Sequence, residues 1–288
     1  MQYAPGGCRA RWHREQRDGT VTAQDRRQKE ILDLASRQGF VSIEALAQHF
    51  QVTPQTIRRD INQLCDQAQL QRFHGGAGLP SSVANLSYTT RQVLGRPEKE
   101  RIAREVASQI PDQASLFINI GTTTEEVARA LLDHAGLRVI TNNLNVAGIL
   151  SGNPNFEVIV AGGVVRSRDR GIVGEATIEL IRQFRVDVGI IGISGIDSDG
   201  TLLDYDYREV QVAKTIIEQS RAVFLAADHT KFGRRPMVRL GHLEDIDALF
   251  TDRPPPAAML PVLKAAKVAV HVARDEADTP RDESQAAE

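Results

Sequence analysis

The chain has 288 residues, 41% of them hydrophobic and 25% charged, which is enough apolar material for one large domain and one small one. A net charge of −2 excludes a protein coated in basic residues, but not a DNA reader, whose electrostatic footprint needs only a few well-placed arginines. Two isolated cysteines, Cys8 and Cys65, exclude a disulfide framework or a zinc ribbon; no metal and no cofactor is expected.

No run approaches the roughly 18 apolar residues of a membrane span, and the polar N-terminus lacks the apolar stretch of a secretion signal. A cytoplasmic location is therefore expected. Residues 1–23 show no periodicity and predict disorder. Residues 24–79 read as a small helical unit. Ile31, Leu34 and Ala35 follow helical spacing, with Gly39 as the stop. Ser42 is placed to cap a second helix carrying Leu46, Ala47 and Phe50, with Glu44 in its first turn. After a tight turn at Gln51-Val52, Thr53-Pro54 opens a third helix running to about Cys65. Residues 70–74 predict a strand, and Gly75-Gly76 a turn, together a β wing.

On the third helix, Ile57, Ile61 and Leu64 share one face. That turns Gln55, Arg58, Arg59 and Asn62 outward. Arginine pairs with guanine and glutamine with adenine in the major groove, while flanking polar groups such as Ser42, Thr53, Thr56, His74 and Gly75 suit phosphate contacts. A solvated polar face is the plainer alternative, but two short helices, a tight turn, a Thr-Pro start and a Gly-Gly wing together favour DNA.

Residues 80–97 read as a linker and 98–273 as an α/β domain. Apolar strands over 116–120, 137–141, 156–161, 186–193, 222–227, 248–251 and 268–272 alternate with helices, predicting a parallel sheet covered on both faces. Gly121, Thr122, Thr123 and Thr124 follow the first strand and open a helix; glycine, hydroxyls and the helix dipole there suit a phosphate. An ordinary helix cap explains the same residues. Thr141, Asn142, Asn143, Gly163, Glu175, Ser194, Gly195, Asp228 and Lys231 also stand near strand ends, where open parallel sheets hold their ligands. Lys231 suits a phosphate or a pairing with Asp228. The tail 274–288 is polar, and disorder is expected there.

Residues 41–50 (VSIEALAQHF), 52–60 (VTPQTIRRD) and 72–77 (RFHGGA) resemble the winged helix-turn-helix of the DeoR family. Residues 98–103 (EKERIA), 141–147 (TNNLNVA), 192–200 (GISGIDSDG) and 252–256 (DRPPP) resemble its sensor, a fold similar to ribose-5-phosphate isomerase. The resemblance implies operator DNA read by Gln55, Thr56, Arg58 and Arg59, and a homo-oligomer. It further implies a sugar-phosphate effector, glycerol 3-phosphate, controlling glycerol metabolism genes. Asn119 stands where the family often has aspartate, which removes a charge beside the loop. Asp60, misplaced beside DNA, suits a partnership with a nearby arginine.

The rival reading is an isomerase fused to a DNA-binding module. Such chemistry needs a positioned general base. By the resemblance, the isomerase's aspartates fall on Ile191 and Ser194, which cannot serve, leaving Glu209 as a structural or ligand-binding group. A ligand-free architectural DNA binder is the other alternative, with no use for glycines, threonines and Lys231 at strand ends. No catalytic residue is expected.

Overall fold

The computed structural model describes residues 23–38, 40–67, 69–73, 75–79 and 85–273, the side chains of 36–38 excepted. Of the residues 1–23 expected to be disordered, Ala23 instead begins the first helix, where the apolar spacing starts too weakly to mark the boundary, and the rest lie outside the described residues, as do the tail 274–288, the stop at Gly39 and the role given to His74.

The N-terminal unit has three helices, α1 (Ala23–Gln38), α2 (Ile43–Phe50) and α3 (Pro54–Asp66). Ser42 Oγ accepts from Ala45 N at 3.1 Å, and Thr53 Oγ1 from Thr56 N at 3.3 Å, so both helices start on side-chain caps. Gln51 ends α2 in the left-handed conformation (φ 52°) and makes the tight turn. Ile31, Leu46, Ile57, Ile61, Leu64 and Leu70 form the core. The link at Val41–Ser42 is itself a strand (β1), which pairs with β3 (Gly76–Gly78); β3 also pairs with β2 (Gln71–Phe73). Only glycine fits at 76. A Cβ there would stand 2.0 Å from the Val41 carbonyl oxygen and 2.5 Å from the Phe40 ring.

Two short helices, α4 (Tyr88–Val93) and α5 (Arg96–Ser108), lead into the sensor. Its seven main strands are β4 (Ser115–Ile118), β5 (Arg138–Thr141), β6 (Glu157–Val160), β9 (Val186–Gly192), β12 (Ser220–Ala226), β14 (Ala248–Thr251) and β15 (Ala269–Val272). All pair in parallel, in the order β15-β14-β12-β9-β4-β5-β6. These are the seven strands the apolar runs predict. The helices α5, α6 (Thr122–Ala130) and α7 (Leu144–Leu150) bury Ile102, Val127 and Leu150 on one face of the sheet. The helices α8 (Glu175–Arg182), α9 (Tyr207–Glu218) and α10 (Leu260–Ala265) bury Ile181, Val210 and Leu263 on the other.

Strand order reverses between β4 and β9, so a crevice opens past their carboxyl ends. Two additions were not legible as sequence patterns: the antiparallel sheet β10 (Gly195–Ile196), β11 (Thr201–Asp204) and β13 (Val238–His242), and the pair β7 (Val164–Val165) with β8 (Ile172–Val173). Strands of two to five residues carry too little alternation to stand out. Among the described residues, no helix is long and apolar enough to cross a membrane.

Replacing Gly76 with alanine drives a methyl group into the β1 backbone. We expect the winged unit to lose about 2–3 kcal/mol in urea unfolding followed by circular dichroism, while the sensor's transition stays in place.

Candidate DNA-reading face and anion site

On α3 the geometry separates the two faces that its spacing implies. Ile57, Ile61 and Leu64 are buried, whereas Gln55, Arg58, Arg59 and Asn62 are exposed. Ser42 and Thr53 spend their hydroxyls on the caps, and Thr56 Oγ1 lies 3.0 Å from Thr53 Oγ1. Gly75, left-handed at φ 73°, accepts from Ile43 N at 2.8 Å and so ties the wing turn to the start of α2. Asp60 is almost fully buried. It accepts from Arg27 Nε at 2.5 Å and Gln24 Nε2 at 3.1 Å, both on α1, so its charge is consumed in setting α3 against α1. The arginine partner expected for Asp60 is therefore Arg27.

In the sensor, a pocket past the carboxyl ends of β4 and β12 is lined by Thr122, Asp228 and Lys231, joined by Arg91, Lys99, Arg234 and Glu98. Burial pushes the Lys231 ammonium down to about 7, against the pull of Asp228, whose Oδ2 lies 3.9 Å away. Burial opposes ionisation of Asp228 as well, but Lys231 beside it holds that carboxyl well below the usual range. Lys99 Nζ donates to the carbonyls of Arg91 and, at 2.6 Å, Leu94, and burial lowers its ammonium to about 8. Arg91 Nε and Arg234 Nε are both buried without a hydrogen-bond partner. Each of these guanidiniums keeps one donor nitrogen away from solvent and free to bond an acceptor oxygen.

Beside it, and sharing Arg91 and Leu86, lies a cleft lined by Ser194, Asp204, Asp206, Glu209 and Asp169. Ser194 Oγ donates to Asp204 Oδ1 at 2.9 Å, and burial raises the Asp204 carboxyl. Glu209 is raised by burial and by Asp204, and its Oε2 accepts from Arg166 Nη2 at 2.7 Å. Arg166 also grips Asp169 and Asp206. The cleft thus offers acceptors suited to hydroxyls at one end and cations suited to a phosphate at the other.

The expected linker residues roof both pockets. Tyr88 donates to Glu125 Oε2 at 2.7 Å and accepts from Asn145 Nδ2 at 2.8 Å, while Asn85 Nδ2 donates to Ser194 Oγ at 3.3 Å. Burial and Glu125 together raise the Tyr88 phenol, which keeps it a donor.

Several expected ligand residues are occupied otherwise. Thr124 is fully buried and donates to the carbonyls of Asn119 and Gly121, both at 2.8 Å. Thr141 donates to Ile118 O, Asn142 to Ile172 O, and Asn143 caps α7. A Cβ on Gly163 would meet Thr177 Oγ1 at 2.3 Å, and one on Gly195 the Arg234 carbonyl oxygen at 2.5 Å, so both serve close packing. Glu175 is exposed in the first turn of α8, and Thr123 is buried next to Thr122. Asn119 Oδ1 is buried with no partner. Arg91, Lys99, Arg234 and Asp204 were missed. No local motif marks them, although Lys99 belongs to a segment carrying the family resemblance.

Residues 95–253 match the model of the DeoR C terminal sensor domain, and residues 27–83 that of the DeoR-like helix-turn-helix domain. The chain is 55% identical over 240 residues to the glycerol-3-phosphate regulon repressor of Escherichia coli (strain K12), covering 83% of this chain and 95% of that one. It is 53% identical to the Haemophilus influenzae protein of the same name, over 79% and 89% of the two chains. It is 43% identical to the E. coli HTH-type transcriptional repressor CsqR, over 87% and 96%. Ribose 5 phosphate isomerase A of Neisseria gonorrhoeae aligns over 46% of this chain and 52% of its own, with a TM-score of 0.34 and 15% identity, a weak likeness that carries no functional inference. A helix-turn-helix in front, a DeoR sensor behind and relatives that span nearly all of both make this chain a member of the DeoR family, a DeoR-type transcriptional repressor.

Proposed function

We propose that this repressor controls genes of glycerol and glycerol 3-phosphate metabolism from the cytoplasm, as a homo-oligomer on paired operator half-sites, and that glycerol 3-phosphate releases it. The observation that carries the reading is the pair of buried, partnerless guanidinium nitrogens of Arg91 and Arg234 beside Thr122 and Lys231. A phosphate monoester supplies the missing acceptor oxygens, and the adjoining Asp204 and Ser194 suit the hydroxyls of a short polyol. The curated relatives named for the glycerol-3-phosphate regulon support the same ligand. Inducer and operator each weaken the other's binding by the same factor.

A second reading, sugar-phosphate isomerisation, has one observation in its favour: Asp204, buried, and Glu209, half-buried, are carboxyls raised above their ordinary range. Against it, Glu209 is tied to Arg166, Asp204 Oδ1 already accepts from Ser194 and from Tyr205 N, and Ile191 is core. Turnover of ribose 5-phosphate above that of an Asp204→Asn control establishes catalysis; equal traces dismiss it.

In an operator-binding titration, glycerol 3-phosphate is expected to dissociate the complex while glycerol does not. A complex that survives millimolar glycerol 3-phosphate refutes the proposed effector. Arg58→Ala is expected to cost about 1–3 kcal/mol of operator affinity if the side chain reads a base, with loss of discrimination at one position of the site, measured by anisotropy on a set of operator variants.

The lysines set a pH dependence. Their folded values, about 7 for Lys231 and about 8 for Lys99, lie below the free-lysine value, so Lys231 above pH 7 and Lys99 above pH 8 must take up a proton to meet a phosphate dianion. The groups around Lys231 are Asp228, Arg234, Arg91 and Lys99, and the three other cations all oppose its charge. The monoester itself is dianionic above about pH 6. Affinity should therefore be highest near pH 7 and fall as pH rises through 8 to 9. Calorimetry in buffers of different ionisation enthalpy should show net proton uptake at pH 8; proton release there contradicts the assignment.

A further inference from the structure

The cationic pocket is not closed by sensor residues alone. Phe73, the last residue of β2 in the wing, lines it together with Thr122, Lys231 and Arg234. The Arg234 guanidinium carbon stands 4.3 Å from the centre of the Phe73 ring, within the range of a cation–π contact. Phe73 is nearly buried, yet it is not among the side chains of the winged unit's core, where Leu70 and Ala77 are its neighbours in sequence. Among the described residues of that unit, its ring contact is edge-on to Phe40, with centroids 6.1 Å apart.

The pocket is narrow: the centre of a water-sized sphere can range over only about 30 Å³ of it. An anion that reaches the Arg234 guanidinium meets the Phe73 ring already seated on it. The Arg234 backbone is held in place: its carbonyl packs against the bare face of Gly195, and Gly233 N donates to Ile196 O at 2.8 Å. Lys99 is held by two carbonyls. The Arg234 side chain has a single hydrogen bond, from Nη2 to Thr230 Oγ1 at 3.2 Å, and its Nε has none. The face of Phe73 is what occupies it.

We propose that the anion site is a composite of both domains, with Phe73 of the wing as its lid, and that a phosphate monoester dianion competes with the Phe73 ring for Arg234. The inference rests on the phosphate reading given above and adds to it the connection between ligand and wing. Phe73, His229 and Thr230 also line a second cleft, between the sensor and the face of α3 that carries Arg58 and Asn62. Expelling Phe73 from the first cavity therefore alters the walls of the second, and with them the placement of the reading helix. Charge favours the exchange, because a dianion bonded to a desolvated guanidinium outweighs a ring quadrupole.

The test is the affinity of the full chain for glycerol 3-phosphate, and separately for inorganic phosphate, without DNA. Phe73→Leu keeps an apolar side chain beside Phe40 and removes the π face. It should bind both anions about three-fold or more tightly, the size of a lost cation–π competitor. Phe40→Leu, which disturbs Phe73 from its far edge and does not line the pocket, should leave both affinities unchanged. Arg234→Gln should weaken binding about ten-fold or more, as for a lost charged hydrogen bond, and in the Phe73→Leu/Arg234→Gln pair the gain should vanish. A merely structural Phe73 would give no such dependence on Arg234. A measurement that needs no variant guards against misfolding: amide exchange over 71–78 in the wild-type chain should quicken when phosphate is bound. Unchanged or weaker anion binding by Phe73→Leu, or wing exchange indifferent to both anions, overturns the proposal. Tighter phosphate binding by Phe73→Leu with no operator release by glycerol 3-phosphate overturns the effector assignment and leaves the lid standing.

Discussion

Four cationic side chains, Arg91, Lys99, Lys231 and Arg234, line one small pocket with only two carboxylates, Asp228 and Glu98. Holding like charges together away from water is costly, and the cost is visible as lysine ammoniums pushed down to about 7 and about 8. Nothing about folding alone requires such an arrangement, because apolar residues of similar size would fill the space at lower cost. An anion bound among these cations, as proposed above, offsets that cost. The rest of the sensor can be understood as the scaffold that holds this unfavourable cluster in place: a parallel sheet whose strand order reverses at β4 and β9, and a roof of residues 85–95 strapped down through Tyr88 and Glu125.

The second half of the molecule spends its electrostatics differently. Asp60 sits on the reading helix, where an unpaired negative charge would repel phosphate, but it is buried against Arg27 and Gln24 of the first helix. The outward face of α3 is thereby left to Gln55, Arg58, Arg59 and Asn62, and the angle between α1 and α3 is set by a charged contact rather than by packing alone. The glycine at 76 holds the wing close to β1, so that the wing's last aromatic residue, Phe73, extends beyond its own domain to the sensor's Arg234. Packing of the wing thus reaches a guanidinium that also lines the cationic pocket.

The family to which the chain belongs explains why a small helix-turn-helix precedes a large α/β unit, but not which contacts join them. Those contacts involve residues with no motif of their own. Arg91 lies in a stretch that reads as a spacer, because proline, serine and glycine dominate its flanks, yet it folds as part of a short helix over the ligand cleft.

Local and periodic features were legible in the amino-acid order. The three helices with their Ser42 and Thr53 caps, the outward face of α3, the seven parallel strands and the glycine-threonine turn after β4 all follow from spacing, because capping and burial patterns act over a few residues. Thr122 and Lys231 were identified that way. The tertiary structure alone decided that Thr124, Thr141, Asn142 and Asn143 give polar atoms to the scaffold, and that Arg91 and Lys99 converge with Lys231 and Arg234 from segments more than 100 residues apart. The reason is physical. A hydrogen bond to a neighbouring carbonyl and one to a ligand demand the same residue type, and only distances across the fold tell which is made.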